Sequence, residues 1–511
     1  MSWLSSTATS ESLPHILNQP GLTIWAVLLC VIGGAGRPCV GQVVIAPAIM
    51  TVAGDATNHS AGSDGDNVSA MSATLNAPLG IAFDSSGNLY IADTNNNAIR
   101  KVDAVTGKIS NVSAGTLNKP RSVVVDTTDN LYIADTSNNR IIKVDLKANS
   151  ATIFAGLAAG KTVIGDKELA VNARFNTPSG IALDRFNNLY IADQGNNQIR
   201  KVDALTLTIS TVVGTGKVSS NALESNGDNG PAVDATLNQP RDLSVDKDGN
   251  LYIMDTGNNK IRKVDVRTNV ITTLAGSGTS GYAGDGLLAT DSKTLISAPG
   301  KSTMDSFGNL YFSDAGNNCV RKIEGKTGVI TTVAGDGTAG STGDGGVATK
   351  ARLNFPYGVA LDALGNLYIA DSNNNVIRKL IIQPTNFPPT VVEGFSTVQT
   401  IFLLTTAPGN ISISLPQSQN GISEYSLKKI TGCTLNAPSL PGTVCAVTVM
   451  FHPAYPGQRS QLLLVKVGIE TVIFPLNAMG VGPLPVLRPG VANDGNCIEA
   501  DPRDQGLLGV Q

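Results

Sequence analysis

Histidine is scarce in this chain of 511 residues, which contains only His15, His59 and His452. Histidine is a common general base and zinc ligand, and such sites bring it together with further histidines, carboxylates or thiolates. The three histidines lie far apart, and only His59 falls within the repetitive part of the sequence. The sequence therefore argues against an enzyme with a histidine-based centre, and we expect no catalytic residues and no metal site.

Charged residues and long apolar runs are limited as well. Charged residues make up 15% of the chain and the net charge is -3, so there is no basic excess to attract nucleic acid. Beyond the N-terminal segment no apolar run reaches 18 residues, and we expect no further integral membrane segment. With 54 glycines, 5% aromatic and 41% hydrophobic residues, the composition suits short strands joined by many turns. We predict an all-β protein.

The first 41 residues predict an export signal. Residues 22–32 are apolar and are followed by small residues, with a cleavage site after Gly41 and Cys39 three positions before that bond. The apolar run is shorter than a transmembrane helix. No lysine or arginine occurs in the first 21 residues, so a wrongly assigned start or an uncleaved anchor is the alternative. We expect a secreted, periplasmic or cell-surface protein. After cleavage of the signal, four cysteines remain: Cys319, Cys433, Cys445 and Cys497.

One sequence motif recurs six times in the chain between residues 49 and 380. Its first copy is residues 88–93, Asn-Leu-Tyr-Ile-Ala-Asp, followed by Asn96-Asn97 and by Ile-Arg-Lys-Val at 99–102. Six tyrosines mark the copies, and each is followed three residues later by an aspartate: Tyr90, Tyr132, Tyr190, Tyr252, Tyr311 and Tyr368. Each copy reads as four short β-runs separated by turns rich in Gly, Asn and Asp, which is typical of a propeller blade.

The last copy supplies only three β-runs. The missing fourth run has a counterpart at residues 49–54, Ile-Met-Thr-Val-Ala-Gly, ahead of the first copy. Pairing the two ends would close the ring and remove two exposed sheet edges. We therefore predict a six-bladed β-propeller at residues 42–383, closed by residues 43–54, and we expect it to be monomeric.

The recurring motif resembles the NHL repeat in its long bacterial form, and the resemblance covers residues 49–380. Members of that family are six-bladed propellers used mostly for binding, with a few lyases among them. The resemblance implies a protein or glycan ligand. The histidines of the zinc-dependent and antibiotic lyases have no counterpart in this sequence.

A second domain is predicted at residues 384–482, where about seven alternating runs separated by Pro and Gly turns suggest an immunoglobulin-like β-sandwich. It resembles the Hydin-type Ig-like modules that follow propellers in bacterial surface proteins. If the protein is exported, we expect a disulfide between Cys433 and Cys445, which are twelve positions apart. Residues 483–511 form an irregular tail.

The strand-end aspartates invite a metal-binding interpretation, but each precedes a tight turn whose backbone amides its side chain can satisfy, so we expect a structural role. The Arg-Lys pairs of the third strands, such as Arg100-Lys101, are expected to pair with aspartates such as Asp103, Asp203 and Asp265. We expect no cofactor. The alternative is Ca²⁺ in the Asp-Gly loops, although no copy has a glutamate at the EF-hand spacing.

The candidate ligand site lies beside the prolines that open the first strands, on the rim that also carries the long loops between blades. The residues on either side of the proline differ from blade to blade, although the proline itself recurs. Five of them are cationic or aromatic and are candidates for binding: Lys119, Arg121, Arg241, Phe355 and Tyr357. A one-residue connection after blade one leaves a notch beside them. The first strands read as apolar or small, as at 81–83 and 123–125, which argues against hydrolase or lyase chemistry. We predict a binding or scaffold module. The alternatives are a propeller-based lyase or lactonase and a purely structural spacer.

Overall fold

The structure is a computed structural model that describes residues 43–481, apart from gaps at 56, 157–164, 219–225, 382–389, 392–396, 406–408, 416–423, 436–437, 440–443, 453–456 and 468–469. The predicted signal segment, the tail and Cys497 lie outside the described residues. In the part of the chain that the structure covers, no helix has the length and apolar character needed to cross a membrane.

Six antiparallel sheets form the propeller, as the repeats predict. In blades one to five the first four strands follow one another in chain order from the ring axis outward, and in blade six the outermost strand comes from the N-terminal part of the chain. The second strand is almost wholly buried in every blade. Both faces of this strand pack against neighbouring blades, which explains why its sequence is a continuous run such as Leu-Tyr-Ile-Ala-Asp and does not alternate.

The strands of blades one to three are, in chain order, Pro78–Phe83, Leu89–Asp93, Ala98–Val102 and Lys108–Asn111; Pro120–Val125, Asn130–Asp135, Arg140–Asp145 and Ser150–Ala155; Pro178–Leu183, Leu189–Asp193, Gln198–Val202 and Ile209–Val213. Those of blades four to six are Asp242–Val245, Leu251–Asp255, Lys260–Val264 and Ile271–Ala275; Pro299–Met304, Leu310–Asp314, Cys319–Ile323 and Ile330–Ala334; Pro356–Leu361, Leu367–Asp371 and Val376–Ile381 with Ala48–Ala53.

The turn between the second and third strands joins each blade to the next. It is a short 3-10 helix ending at an asparagine with φ between 48° and 57°, a left-handed conformation that asparagine tolerates well. The Oδ1 of this asparagine accepts a hydrogen bond from the backbone N–H that precedes the proline of the next blade. The six N···O distances are 2.7–3.0 Å, for the pairs Asn97–Lys119, Asn139–Thr177, Asn197–Gln239, Asn259–Ala298, Asn318–Phe355 and Asn375–Ala77.

Ring closure is confirmed for residues 48–53 and wrong for residues 43–46. Ala48–Ala53 pairs antiparallel with Val376–Ile381 as the fourth strand of blade six. Val43–Ala46 instead pairs with Thr397–Thr405 in the C-terminal part of the chain. Pro47 separates the two strands, and because proline has no backbone N–H to donate, it interrupts a ladder at that point. The N-terminal segment therefore belongs to both parts of the molecule.

The C-terminal residues form two sheets. One contains Val43–Ala46, Thr397–Thr405, Val444–Phe451 and Tyr425–Thr431, and the other contains Thr390–Val391, Glu470–Val481, Gly457–Val467, Gly409–Ser414 and Pro438–Ser439. A single cluster of buried side chains draws on both sheets, with Leu403 and Val447 from the first and Ile411 and Val465 from the second. Cys433 and Cys445 are joined by a disulfide, as the sequence predicts. The immunoglobulin-like assignment stays a prediction.

Candidate functional site

Five third-strand arginines lie inside the propeller wall, with at most 1% of each exposed: Arg100, Arg200, Arg262, Arg321 and Arg378. Each guanidinium lies 3.4–3.7 Å from the strand-end aspartate of its own blade, as Arg262 does from Asp255. The predicted pairing with Asp103, Asp203 and Asp265 is wrong for the arginines, whereas the lysine beside each arginine, such as Lys101, does act electrostatically on the predicted aspartate. Those aspartates accept hydrogen bonds from backbone amides of the turns that follow them, so their carboxylates stabilise turns.

The strand-end aspartates have a structural role, but their partners differ from the predicted ones. Asp93 accepts a hydrogen bond from the backbone N–H of Asn76 (2.7 Å), which lies ahead of the first strand, and another from Asn96 Nδ2 (2.8 Å). The same two bonds recur in the other blades, except that Ser297 replaces the first asparagine in blade five. Burial raises the pKa of Asp93, Asp193, Asp314 and Asp371 to about 6. These carboxyl groups hold the rim together and do not face solvent.

The long loops between blades do not form an open collar for a ligand, as the sequence had suggested. The described long loops lie against the outer strands of the blades that follow them, and ahead of blades four, five and six the aspartate of the loop bonds both the third and the fourth strand. Asp285 Oδ1 lies 2.7 Å from Arg321 Nη2 on the third strand, and its Oδ2 accepts the Thr332 N–H of the fourth strand at 3.0 Å. Asp344 bridges Arg378 and the Thr51 N–H in the same way. These loop aspartates are therefore partnered within the wall, and Ca²⁺ in the Asp-Gly loops remains an untested prediction.

The channel is more polar than the sequence predicted. Glycine follows the proline-flanking position in blades one, three and six, but Ser122, Asp242 and Lys301 stand there in blades two, four and five. Lys301 Nζ lies 3.3 Å from Asp242 Oδ1 and donates to Ser122 Oγ at 2.9 Å. At most 6% of any of the three residues is exposed. The expectation that the first strands are apolar or small is thus wrong for blades four and five, where Asp242 and Lys301 bring a carboxylate and an ammonium group into the channel.

Asp242 is an acceptor for two groups, Lys301 Nζ and the backbone N–H of Ser302 at 3.1 Å. Burial raises the pKa of Asp242 to about 6, while the positive charge of Lys301 acts in the opposite direction. The carboxyl group is therefore a buried, hydrogen-bonded member of the channel lining.

Tyr357 lies at the mouth of the channel with 5% of its side chain exposed. Its hydroxyl is 3.3 Å from Ser179 Oγ, which reaches it from the opposite blade. Burial raises the pKa of the Tyr357 hydroxyl, and the positive charges of Arg241 and Arg121 oppose that rise. The mouth therefore combines a phenol with two guanidinium groups.

The two arginines differ in their partners. Arg121 Nη1 donates to Gln194 Oε1 at 3.0 Å. Gln194 occupies the position where four other blades have a threonine or serine that bonds the proline carbonyl of the next blade, as Thr94 bonds Pro120. Within the described residues, no group accepts a hydrogen bond from the guanidinium of Arg241 and no carboxylate pairs with either arginine. Both side chains are partly exposed.

Of the five predicted site residues, Arg121 and Arg241 lie close enough to Tyr357 for their charges to act on the pKa of its hydroxyl. Lys119 is exposed and its Nζ donates to Asn95 Oδ1 at 2.8 Å, away from the tyrosine hydroxyl. Phe355 is partly buried and occupies the same pre-proline position, with φ of 50°. The backbone of both residues is fixed by the bonds between blades described above. The sequence reasoning missed Ser179, Gln194, Asp242 and Lys301, which complete the mouth and its floor.

The chain carries NHL repeats and folds as a six-bladed β-propeller. The model of the NHL repeat matches residues 75–102, 117–143 and 353–380, and that of the Teneurin NHL domain matches residues 205–282. The chain is similar to the Arabidopsis thaliana protein SUPPRESSOR OF QUENCHING 1, chloroplastic, with 29% identity over 316 residues, 60% of this chain and 25% of that protein. It is 34% identical over 134 residues to NHL repeat-containing protein 2 of Bos taurus, covering 26% of this chain and 18% of that protein.

Among solved structures, a protein of unknown function from Bacteroides thetaiotaomicron superimposes with a TM-score of 0.51 and 20% identity, covering 66% of this chain and 76% of that one. This likeness concerns the fold alone. The chain spans a quarter or less of the two curated relatives named above, so what those whole proteins do says little about this one.

Proposed function

We propose that the propeller is a binding module that takes an anionic group of a protein or glycan ligand at its channel mouth. The observation that carries the proposal is the placement of Arg241, whose guanidinium has no acceptor among the described residues, beside Arg121 and the Tyr357 hydroxyl. Guanidinium groups bind carboxylates, sulfates and phosphates through two parallel hydrogen bonds. Arginine and tyrosine are also the residue types that contribute most to binding energy at interfaces.

The charges around the mouth favour an anion over a cation. Lys301 pairs with Asp242, so these two buried charges compensate each other. Arg121 and Arg241 then remain as two positive charges without a carboxylate partner in the described part of the chain. An anionic group entering between them would gain two charge-assisted hydrogen bonds, because both side chains reach partly into solvent.

A lyase or lactonase is the alternative function. Such a reaction needs a group that can accept or donate a proton to the substrate. Asp242, the carboxyl group of the channel, is 1% exposed and is already bonded to Lys301 and Ser302. Because these hydrogen bonds already occupy the carboxyl group, it is poorly placed to exchange a proton with a substrate, which supports binding over catalysis. A structural spacer, the remaining alternative, has no use for two arginines at the mouth that have no carboxylate partner among the described residues.

We also propose that the protein is exported and carries its propeller beside an immunoglobulin-like domain. The apolar segment at residues 22–32 supports export, as does the disulfide between Cys433 and Cys445, since disulfides persist in oxidising compartments. The two sheets that share one core after residue 390 support the domain assignment.

The test is an array of glycans and peptides, in which each anionic member has a neutral counterpart, incubated with the purified full-length protein. We expect binding to sulfated, uronic or acidic members that disappears in Arg121→Ala and Arg241→Ala. Arg267→Ala is the matched control, because Arg267 is exposed in a turn between the third and fourth strands, at the opposite end of the blade. Binding that both mouth variants retain in full would remove the proposal.

A further inference from the structure

The outer edge of blade two differs from that of every other blade. In the other five, the segment that precedes the blade runs antiparallel beside its fourth strand. In blade four, the Asn229 N–H donates to the Ile271 carbonyl at 2.8 Å and the Ala232 N–H donates to the Asn269 carbonyl at 2.9 Å. The same two bonds, from residues three apart, recur in blades one, three, five and six. The chain thus covers five of its own sheet edges with extended segments.

Blade two receives no such segment, because only Thr116 separates Gly115 from Leu117 ahead of it. Its fourth strand, Ser150–Ala155, is the last strand of its sheet. Ala151 lies opposite Val144 as Ile271 lies opposite Val264 in blade four, yet Ala151 is exposed whereas Ile271 is fully buried. No described residue bonds the backbone N–H or carbonyl of Ala151, or the carbonyl of Asn149.

The side chains of this edge have changed together with the missing cover. In blade four, Arg262 and Thr273 are cross-strand partners, and both bond Asp228 of the covering segment, at 2.7 and 2.6 Å. In blade two the same two positions are Ile142 and Ile153, again cross-strand partners. Ile153 is 42% exposed. At this edge, the arginine and threonine that bind the aspartate in blade four are therefore replaced by two apolar side chains.

We propose that the outer edge of blade two is a docking site for an extended segment of another protein, which adds to the sheet as a fifth, antiparallel strand. The five covering segments define the chemistry of the occupant. It donates N–H groups three residues apart to the carbonyls of Ala151 and Asn149, with a small residue at the second donor, where the covering segments have a buried alanine. Where those segments carry the aspartate, the occupant carries an apolar side chain that packs on Ile142 and Ile153.

The occupant is a polypeptide and not a glycan, because the groups it must satisfy are the regularly spaced amide and carbonyl groups of a sheet edge. This site is distinct from the channel mouth and does not depend on its function. Each can fail in an experiment while the other stands.

The test uses the purified full-length protein and a ten-residue peptide with the sequence of residues 344–353, in which Asp344 is replaced by leucine. The unmodified sequence serves as the second peptide. We expect the leucine peptide to slow hydrogen exchange at the amides of residues 149–153 and to bind at least about tenfold more tightly than the aspartate peptide, a difference of about 1.4 kcal/mol. Ile153→Lys should abolish this protection. Leu205→Lys, at a residue that is 94% exposed elsewhere on the propeller, should leave it intact.

Thermal unfolding verifies that Ile153→Lys is folded. If it is not, Ile153→Thr, which restores the residue that blades three to six carry, takes its place. The proposal is overturned if saturating peptide leaves residues 149–153 unprotected, or if the protection survives in the folded Ile153 variant. It is also overturned if light scattering shows a dimer whose formation alone protects these amides, because the occupant would then be a second copy of the chain.

Discussion

The hydroxyl of Tyr357 lies 3.3 Å from Ser179 Oγ, although 178 positions separate the two residues. They belong to blades six and three, which face each other across the ring. Lys301 and Ser122 meet in the same way from blades five and two, with 2.9 Å between Nζ and Oγ. Two layers of side chains thus cross the axis. A ligand at the mouth would rest on this floor and would not pass into the ring.

The first prediction concerns this contact across the ring. Tyr357→Phe removes the hydroxyl and leaves Ser179 without its partner, so the free energy of unfolding should fall by about 1 kcal/mol. Urea denaturation of Tyr357→Phe, Ser179→Ala and the double variant measures the coupling between the two residues. Tyr282→Phe, at a residue that is 47% exposed, is the control and should change stability less. A coupling energy of zero would contradict the hydrogen bond.

The buried ion pair leads to a second prediction. Asp242→Asn leaves the Lys301 ammonium group, in a residue that is 6% exposed, without its carboxylate, and should destabilise the protein by about 3–5 kcal/mol. The double variant Asp242→Leu/Lys301→Met removes both charges and should recover most of that loss. Asp248→Asn, in an exposed pair with Lys247, is the control. A double variant as unstable as the single one would show that shape, and not charge, decides this site.

A third prediction concerns pH. Burial raises the pKa of the strand-end aspartates Asp93, Asp193, Asp314 and Asp371 to about 6, above the ordinary value of 3.8. A carboxyl group whose pKa is higher in the folded state binds its proton more tightly there. Its contribution to the free energy of unfolding is therefore complete below the ordinary pKa and is lost as the pH rises through about 6. The urea midpoint should therefore be higher at pH 5 than at pH 7.

Asp193→Asn removes one of these four groups, so the gain between pH 7 and pH 5 should be smaller in that variant than in the wild type. The comparison is made between 5 and 7 because exposed aspartates with lowered pKa, such as Asp103 and Asp203, stay ionised throughout that interval. A midpoint that falls on acidification in both proteins would mean that these carboxyl groups are ionised in the folded state at pH 5.

The fourth prediction separates the two roles of the N-terminal segment. A chain that begins at Ala48 loses the strand that pairs with Thr397–Thr405 but keeps the closing strand of blade six. A chain that begins at Asp55 loses both. The second truncation exposes a sheet edge and removes the buried Ile49, which alone costs on the order of 2–5 kcal/mol, so the propeller should unfold at a much lower temperature and associate. Calorimetry and light scattering measure both effects. Equal propeller stability in the two truncated chains would contradict closure by residues 48–53.

The repeat predicts much of the architecture, because strand order and turn position follow from local spacing. The tyrosine-to-aspartate spacing and the orphan strand at residues 49–54 were enough to place six blades and their closure. Local spacing carries no information about contacts across the ring, such as that between Lys301 and Ser122, since these depend on how wide the closed ring is. It also misplaced Arg100 and its counterparts, because both faces of a blade are buried and alternation does not separate inside from outside.

The last prediction tests the covering segments. Asp285 bonds Arg321 Nη2 at 2.7 Å and the Thr332 N–H at 3.0 Å, and so fastens the segment that precedes blade five to its third and fourth strands. Asp285→Ala should lower the free energy of unfolding by about 1–2 kcal/mol and speed hydrogen exchange at Thr332, because the amide loses its acceptor. Asp248→Ala is the control, since Asp248 pairs with the exposed Lys247.

Ile142→Arg tests the converse case in blade two, which has no covering aspartate. There the new guanidinium has no loop carboxylate to meet it, so this variant should destabilise the protein although it restores the residue that the other five blades have. If Ile142→Arg is neutral, the aspartate of the covering segment is not what permits arginine at this position.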